Sequence, residues 1–192
     1  VIVFDIIGPK EVKSEGLSEP LLDQLLVTKP LTHRNEGENL DLSGEQPVLS
    51  GSFNPGNGWQ ERKFDQPVTG RYVCLEALSA QDGKDLACIA EMYLLDENGE
   101  RLSREPWIVN YADSEDVSHV NCSADKIFDL QESTYWSTTK DTPYPHSVVI
   151  DLGSTRTLTG IQYLPRMESE VPGGIKAVSY THLRAHETEL HL

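Results

Sequence analysis

The sequence predicts an all-β protein, a β-sandwich built from many short strands. Three observations carry that expectation. Short apolar runs rich in β-branched and aromatic residues recur along the chain, as in 1–7, 47–53, 70–80, 146–153 and 158–166. Turn-forming clusters separate them, among them Asn54-Pro55-Gly56-Asn57-Gly58, Asp82-Gly83 and Asn98-Gly99. Finally, 14 Gly and 11 Pro accompany few apolar positions at helical spacing. Strands joined by turns, without long helices, bury their apolar faces by packing as two sheets.

The elements follow in order. Residues 1–7 are apolar and β-branched and read as a buried strand. Residues 18–27 read as a short helix, with Ser18 as cap, Pro20 in the first turn and leucines at helical spacing. From 28 to 42 the chain is polar and irregular. A strand is expected over 47–53 and a loop over 54–58. Residues 70–80 and 86–96 alternate well enough for two strands, and Asp82-Gly83 between them predicts a β-hairpin. Glu97-Asn98-Gly99-Glu100 marks another turn, and a domain boundary is expected between about Asn98 and Glu105. Beyond it, 107–115 opens with an apolar strand, and 124–136 is compact and polar around a few apolar anchors. A strand over 146–153 closes in a turn at Gly153, 158–166 is a further strand, and 171–176 turns into a last one.

Composition excludes several function classes. The 192 residues hold one ordinary domain or two small ones. Sixteen Lys and Arg against 31 Asp and Glu give a net charge of −15, which repels phosphate, so no nucleic-acid partner is expected. No run approaches the ~18 apolar residues of a membrane span. Hydrophobic residues at 38% and charged ones at 24% are ordinary for a globular chain. Cys74, Cys88 and Cys122 are too few and odd in number for a disulfide framework, and no cysteine zinc spacing such as C-x2-C occurs. Cys74 and Cys88 lie in neighbouring expected strands and are in reach of each other if those strands meet; buried free thiols are the plainer reading. No nucleophile elbow, P-loop or Gly-rich dinucleotide turn appears. The acidic run from Asp113 to Asp116 has the groups for acid–base work at a glycosidic bond, but nothing pairs it across a cleft. Asn121-Cys122-Ser123 matches a glycosylation triplet, a pattern frequent by chance.

The last residues are set apart. His182 and His186 have the i, i+4 spacing of a zinc pair. The surrounding Val-Ser-Tyr-Thr-His-Leu-Arg-Ala-His-Glu-Thr, 178–188, resembles a sequencing-library adapter translated in frame. Residues 178–192 are therefore expected to be foreign, with natural sequence ending near Ala177.

Four pieces stand in order between 107 and 177. They are Ala124-Asp125-Lys126-Ile127-Phe128-Asp129 leading to Thr134 and Trp136, then 145–153, then 160–166, then Gly173-Gly174-Ile175-Lys176. Together they resemble the discoidin, or coagulation-factor 5/8 type C, domains of the galactose-binding-like superfamily, to which the family thirty-two carbohydrate-binding modules belong. Phe128 and Leu130 depart from the pattern, where the family favours Ala or Ile and Gly. Residues 63–78 and 87–95 resemble the closing strands of the same fold, ending in Ala90-Glu91. The resemblance implies a jelly-roll sandwich in two incomplete tandem units. Residues 1–97 would be the end of a first, with 1–42 open to assignment as the end of a preceding domain, and 103–177 the start of a second.

Two candidate sites follow. Asp129 and Thr134 stand five residues apart in a polar bend, and a carboxylate, a hydroxyl and turn carbonyls are the hard oxygen ligands that calcium takes. The resemblance implies a structural calcium held by the Lys126 carbonyl, Asp129, the Gln131 position and Thr134, completed by a late Ala-Glu pair. That pair is missing from the second segment, and Glu91 lies in the first, so calcium and a plain turn cap at Asp129 both stay open. Arg166 and His146 are the polar groups most like sugar ligands, with Tyr144 as the aromatic face; an internal ion pair for Arg166 and a structural role for His146 are the alternatives. Trp136 and Trp107 are expected in the core, and Trp59 as the anchor of an exposed loop.

The function implied is non-catalytic glycan binding, galactose-type sugars included, by a region of an extracellular, periplasmic or cell-surface carbohydrate-active enzyme. Its catalytic domain would lie outside this chain. A structural spacer or protein-adhesion module, and the terminal fragment of a glycoside hydrolase, are the alternatives.

Overall fold

The computed structural model describes residues 2–4, 46–140, 142–168 and 172–182. The helix expected over 18–27 lies outside the described residues, as do the residues beyond His182. Among the described residues the regular structure is nine strands and one short 3-10 helix. The strands are β1 (Ile2–Phe4), β2 (Gln46–Ser52), β3 (Gln60–Ala80), β4 (Cys88–Ile89), β5 (Glu91–Leu95), β6 (Ile108–Ala112), β7 (Trp136–Ser137), β8 (His146–Leu164) and β9 (Ile175–His182). The protein is an all-β sandwich, as the run of short apolar segments predicts.

Its frame is a long antiparallel ribbon of β3 and β8, paired from Gln60↔Tyr163 to Ala77↔His146. The ladder changes register between Lys63 and Val68 and again between Gly70 and Tyr72, which bends the ribbon. One half of the ribbon takes β5, from Glu91↔Leu164 to Leu95↔Gly160. The other takes β6 on β8, and β9 with β1 on β3; β2 pairs with β9. Alternation along both strands sends one set of side chains inward. Val73, Leu75, Ile150 and Ile161 are fully buried there, with Met92 and Leu94 from β5 and Trp136 from β7. Each such side chain stabilises the fold by roughly 1.5–3 kcal/mol. Strands from both expected units, 1–97 and 103–177, thus pair in one sheet and close one core.

Two local expectations are corrected. The Asp82-Gly83 turn forms, with Gly83 at φ +71°, but its flanking strands do not pair. β8 lies between β3 and β5 and takes the ladder of both. Likewise 146–153 and 158–166 are not two strands but one. Gly153, at φ +80°, kinks β8 instead of ending it, and a Cβ there would stand 2.9 Å from the Pro106 side chain. The three cysteines are buried and not joined in disulfides, and β3 and β4 are not neighbours. The backbone of β9 runs to His182, past Ala177; a ladder is made by main-chain groups and forms whatever the origin of the residues. No helix among the described residues is long and apolar enough to cross a membrane.

Candidate metal loop and ligand pocket

The 3-10 helix Ala124–Phe128 ends at Asp129, and Leu130 then turns the chain through a left-handed conformation at φ +67°. That reversal folds Thr134 back onto Asp129. The Thr134 hydroxyl lies 2.9 and 2.7 Å from the two Asp129 oxygens and 2.9 Å from the Gln131 carbonyl. The Gln131 N–H donates to Asp129 Oδ1 at 3.0 Å. A hydroxyl has one proton and donates to one acceptor, so three acceptors around Thr134 Oγ1 leave oxygens facing oxygen. Lys126 Nζ stands 3.4 Å from Asp129 Oδ2 and offsets part of that charge.

A second carboxylate comes from upstream. β5 carries Glu91 into the interior, where it is 1% exposed. Arg104 pairs with its Oε2, while Oε1 is buried with no hydrogen-bond partner. Burial holds the Glu91 pKa above the usual carboxyl range; the Asp129 charge adds to this, and Arg104 and the Gln131 backbone work against it. β5, which carries Glu91, packs against the 3-10 helix Ala124–Phe128 that leads into the bend. An orphaned buried carboxylate oxygen beside an oxygen-rich, proton-poor turn fits a hard cation such as calcium. Among the described residues no three His, Cys, Asp or Glu side chains form a metal-holding group. The fit is thus of two carboxylates with a hydroxyl and carbonyls.

A second feature is a cavity of about 170 Å³ lined by Arg166, Tyr135, Asp116, His119, Lys140 and Val120 among others. The Arg166 guanidinium lies 4.0 Å over the Tyr135 ring and pairs with Glu168. Burial pushes the Tyr135 hydroxyl up to about 12, so it remains a proton donor at neutral pH. Hydrogen bonds from Ser118, with the His119 and Lys140 charges, hold Asp116 below its ordinary value and keep it an acceptor.

The site residues read from sequence are distributed unevenly. Asp129, Gln131 and Thr134 converge, with Lys126 beside them. Arg166 lines the cavity, but His146 and Tyr144 do not. His146 is fully buried, and its Nδ1 is hydrogen-bonded to Asp113 at 2.7 Å. Tyr144 packs edge-on against it at 4.7 Å and donates to the Leu86 carbonyl. The acidic run is bracing: Asp113 also accepts from the Ser147 N–H, and Glu115 from the Ala124 N–H. Trp136 and Trp107 are in the core, the latter edge-on to Phe128 at 5.8 Å. Sequence reasoning missed Tyr135, Asp116, His119 and Lys140 as wall residues. The one signal for Tyr135 was its place between Thr134 and Trp136, where alternation turns it away from the buried Trp.

The architecture defines a class, a β-sandwich module with an oxygen-lined bend and a small polar pocket on its connecting loops. Residues 110–183 match the family model of the F5/8 type C domain. A stretch of 61 residues is 39% identical to a sialidase of Micromonospora viridifaciens. It covers 30% of this chain and only 9% of that protein. Glu91, β3 and β5 all lie upstream of the family match.

Proposed function

We propose that the chain is a non-catalytic glycan-binding module in which segments 46–97 and 103–177 act as one unit. The observation that carries this reading is Arg166 laid over Tyr135 in a small polar-walled pocket of an F5/8 type C segment. A guanidinium offers planar, directed donors to vicinal sugar hydroxyls, and Asp116 and Tyr135 add an acceptor and a donor beside it. Tyr144 and His146 support that wall from behind, through the Leu86 carbonyl, and do not touch the sugar. Catalysis belongs to another part of a longer extracellular enzyme, whose substrate this module keeps close by raising effective concentration. The likeness to a sialidase favours such a carbohydrate-active parent.

The same reading includes a structural calcium. Asp129, Thr134, the carbonyls of Lys126 and Gln131, and Glu91 would hold it, and the ion would supply positive charge that locks the bend. Glu91 takes the part of the Ala-Glu pair that the family places late in its sequence, here contributed from upstream.

Calorimetric titration with galactose and a glycan array test the first statement. Arg166→Ala should weaken sugar binding at least tenfold with the melting temperature little changed; equal binding by the variant removes Arg166 from the site. Thermal melts with calcium and with chelator test the second. A calcium concentration 100-fold above Kd should stabilise by about 2.7 kcal/mol, and a melt indifferent to chelator refutes the metal.

A further inference from the structure

Trp59 belongs to neither the oxygen-lined bend nor the pocket, yet through Glu132 it joins the upstream segment to the candidate metal loop. The Trp59 indole N–H donates to Glu132 Oε1 at 3.1 Å, and Glu132 sits inside the bend between Asp129 and Thr134. The indole is itself fixed. It packs on Tyr93 with centroids 5.5 Å apart, and the Arg101 guanidinium lies 4.6 Å over Trp59 and 4.1 Å over Tyr93. Arg101 is anchored in turn on Gln162 at 2.6 Å. Arg104 then donates to the Tyr93 hydroxyl at 2.8 Å, and its other nitrogen pairs with Glu91. A continuous path therefore runs from Glu91 through Arg104, Tyr93 and Trp59 to Glu132 within the bend.

The bend needs such a tie. Leu130 holds a left-handed conformation that a side chain disfavours, and it is 72% exposed, so no packing of its own keeps it there. A strained conformation persists only where its surroundings over-determine it. The Thr134 and Gln131 contacts with Asp129 act from inside the bend; the Trp59 bond acts from outside.

We infer that Trp59 is a positioning residue of the metal loop: its indole N–H, through Glu132, holds the 129–134 bend in the shape that binds calcium. Trp59, just after the loop 54–58, thereby sets the affinity of a site whose ligands lie mostly downstream. The inference rests on the calcium reading above.

Calcium titration of the full chain by calorimetry tests it. Trp59→Phe keeps an aromatic ring on Tyr93 and Arg101 but loses the donor. It should raise the calcium Kd about three- to tenfold, at or below the low end of effects at partners of metal ligands, because the bond is exposed. Glu132→Ala should match it, the double variant should be no weaker than either single, and Glu132→Gln, which keeps the acceptor, should bind nearly as the wild type does. Metal-free melting temperatures should stay together, which a merely structural role would not allow. Wild-type affinity in Trp59→Phe and Glu132→Ala, or additive losses in the double variant, overturns the inference while leaving the calcium site standing. Absence of calcium binding by the wild type overturns both.

Discussion

At the scale of single residues, Leu130 shows how a departure from a family pattern becomes a physical statement. The sequence marks it as a Leu where Gly is favoured, and the structure gives the reason, a backbone at φ +67°. A side chain there costs about 1–2 kcal/mol, whereas Gly adds about 0.5–1 kcal/mol of unfolded-chain entropy. Leu130→Gly should therefore stabilise the metal-free protein by about 0.5–1 kcal/mol, read as a later urea midpoint at unchanged slope. An earlier midpoint would show that the side chain packs after all. Asp129 and Thr134 were legible because they are local: five residues and one turn bring them together. Glu91 was legible as a motif and not as a partner, since nothing in the spacing of a strand near 91 tells that it will lie beside a bend at 129. His146 illustrates the reverse case. A polar ring at a strand entry reads as a ligand, but its partner Asp113, distant in sequence, draws it fully into the interior.

At the scale of elements, the apolar runs were placed well and their pairing was not. A tight turn at Asp82-Gly83 is a local event and forms, but a ladder is decided by competition among all strands. β8 offers both β3 and β5 a longer partner than they offer each other, with paired residues from His146 to Leu164. Where Gly160 of β8 pairs with Lys63 of β3, the two strands leave no room for a side chain. A Cβ on Gly160 would stand 2.7 Å from the Arg62 carbonyl oxygen and 3.3 Å from both Lys63 Cα and a Leu95 methyl. Main-chain atoms of a central ladder cannot step aside, so Gly160→Ala should cost about 1–3 kcal/mol, seen as a lower melting temperature. Gly58→Ala is the matched control, since nothing stands within 4 Å of its Cβ position and its melt should barely move. Equal melts for the two variants would mean that β3 and β8 do not approach as described.

At the scale of the whole molecule, the fold class followed from alternation and turns, while the organisation could not. Family resemblance sorted the chain into a closing piece and an opening piece, because resemblance compares segments with segments in their usual order. The core has no such order. Phe64, Leu75 and Leu94 from the upstream piece and Trp136, Ile150 and Ile161 from the downstream piece lie in one apolar cluster. Separated, each piece would keep strands with no sheet to complete. Residues 103–192 alone would lack β3 and β5, leave both edges of β8 largely unpaired, and expose Val148, Ile150 and Ile161 to water. Exposed apolar edges of that length drive aggregation. Expressed alone, 103–192 and 1–97 should each show poorly dispersed amide resonances and no cooperative melt. Mixed, or co-expressed, they should recover dispersion, a cooperative transition and, with Glu91 returned to the bend, calcium binding. A cooperative melt from 103–192 by itself would instead make the downstream segment an independent domain, and the shared core would lose its meaning.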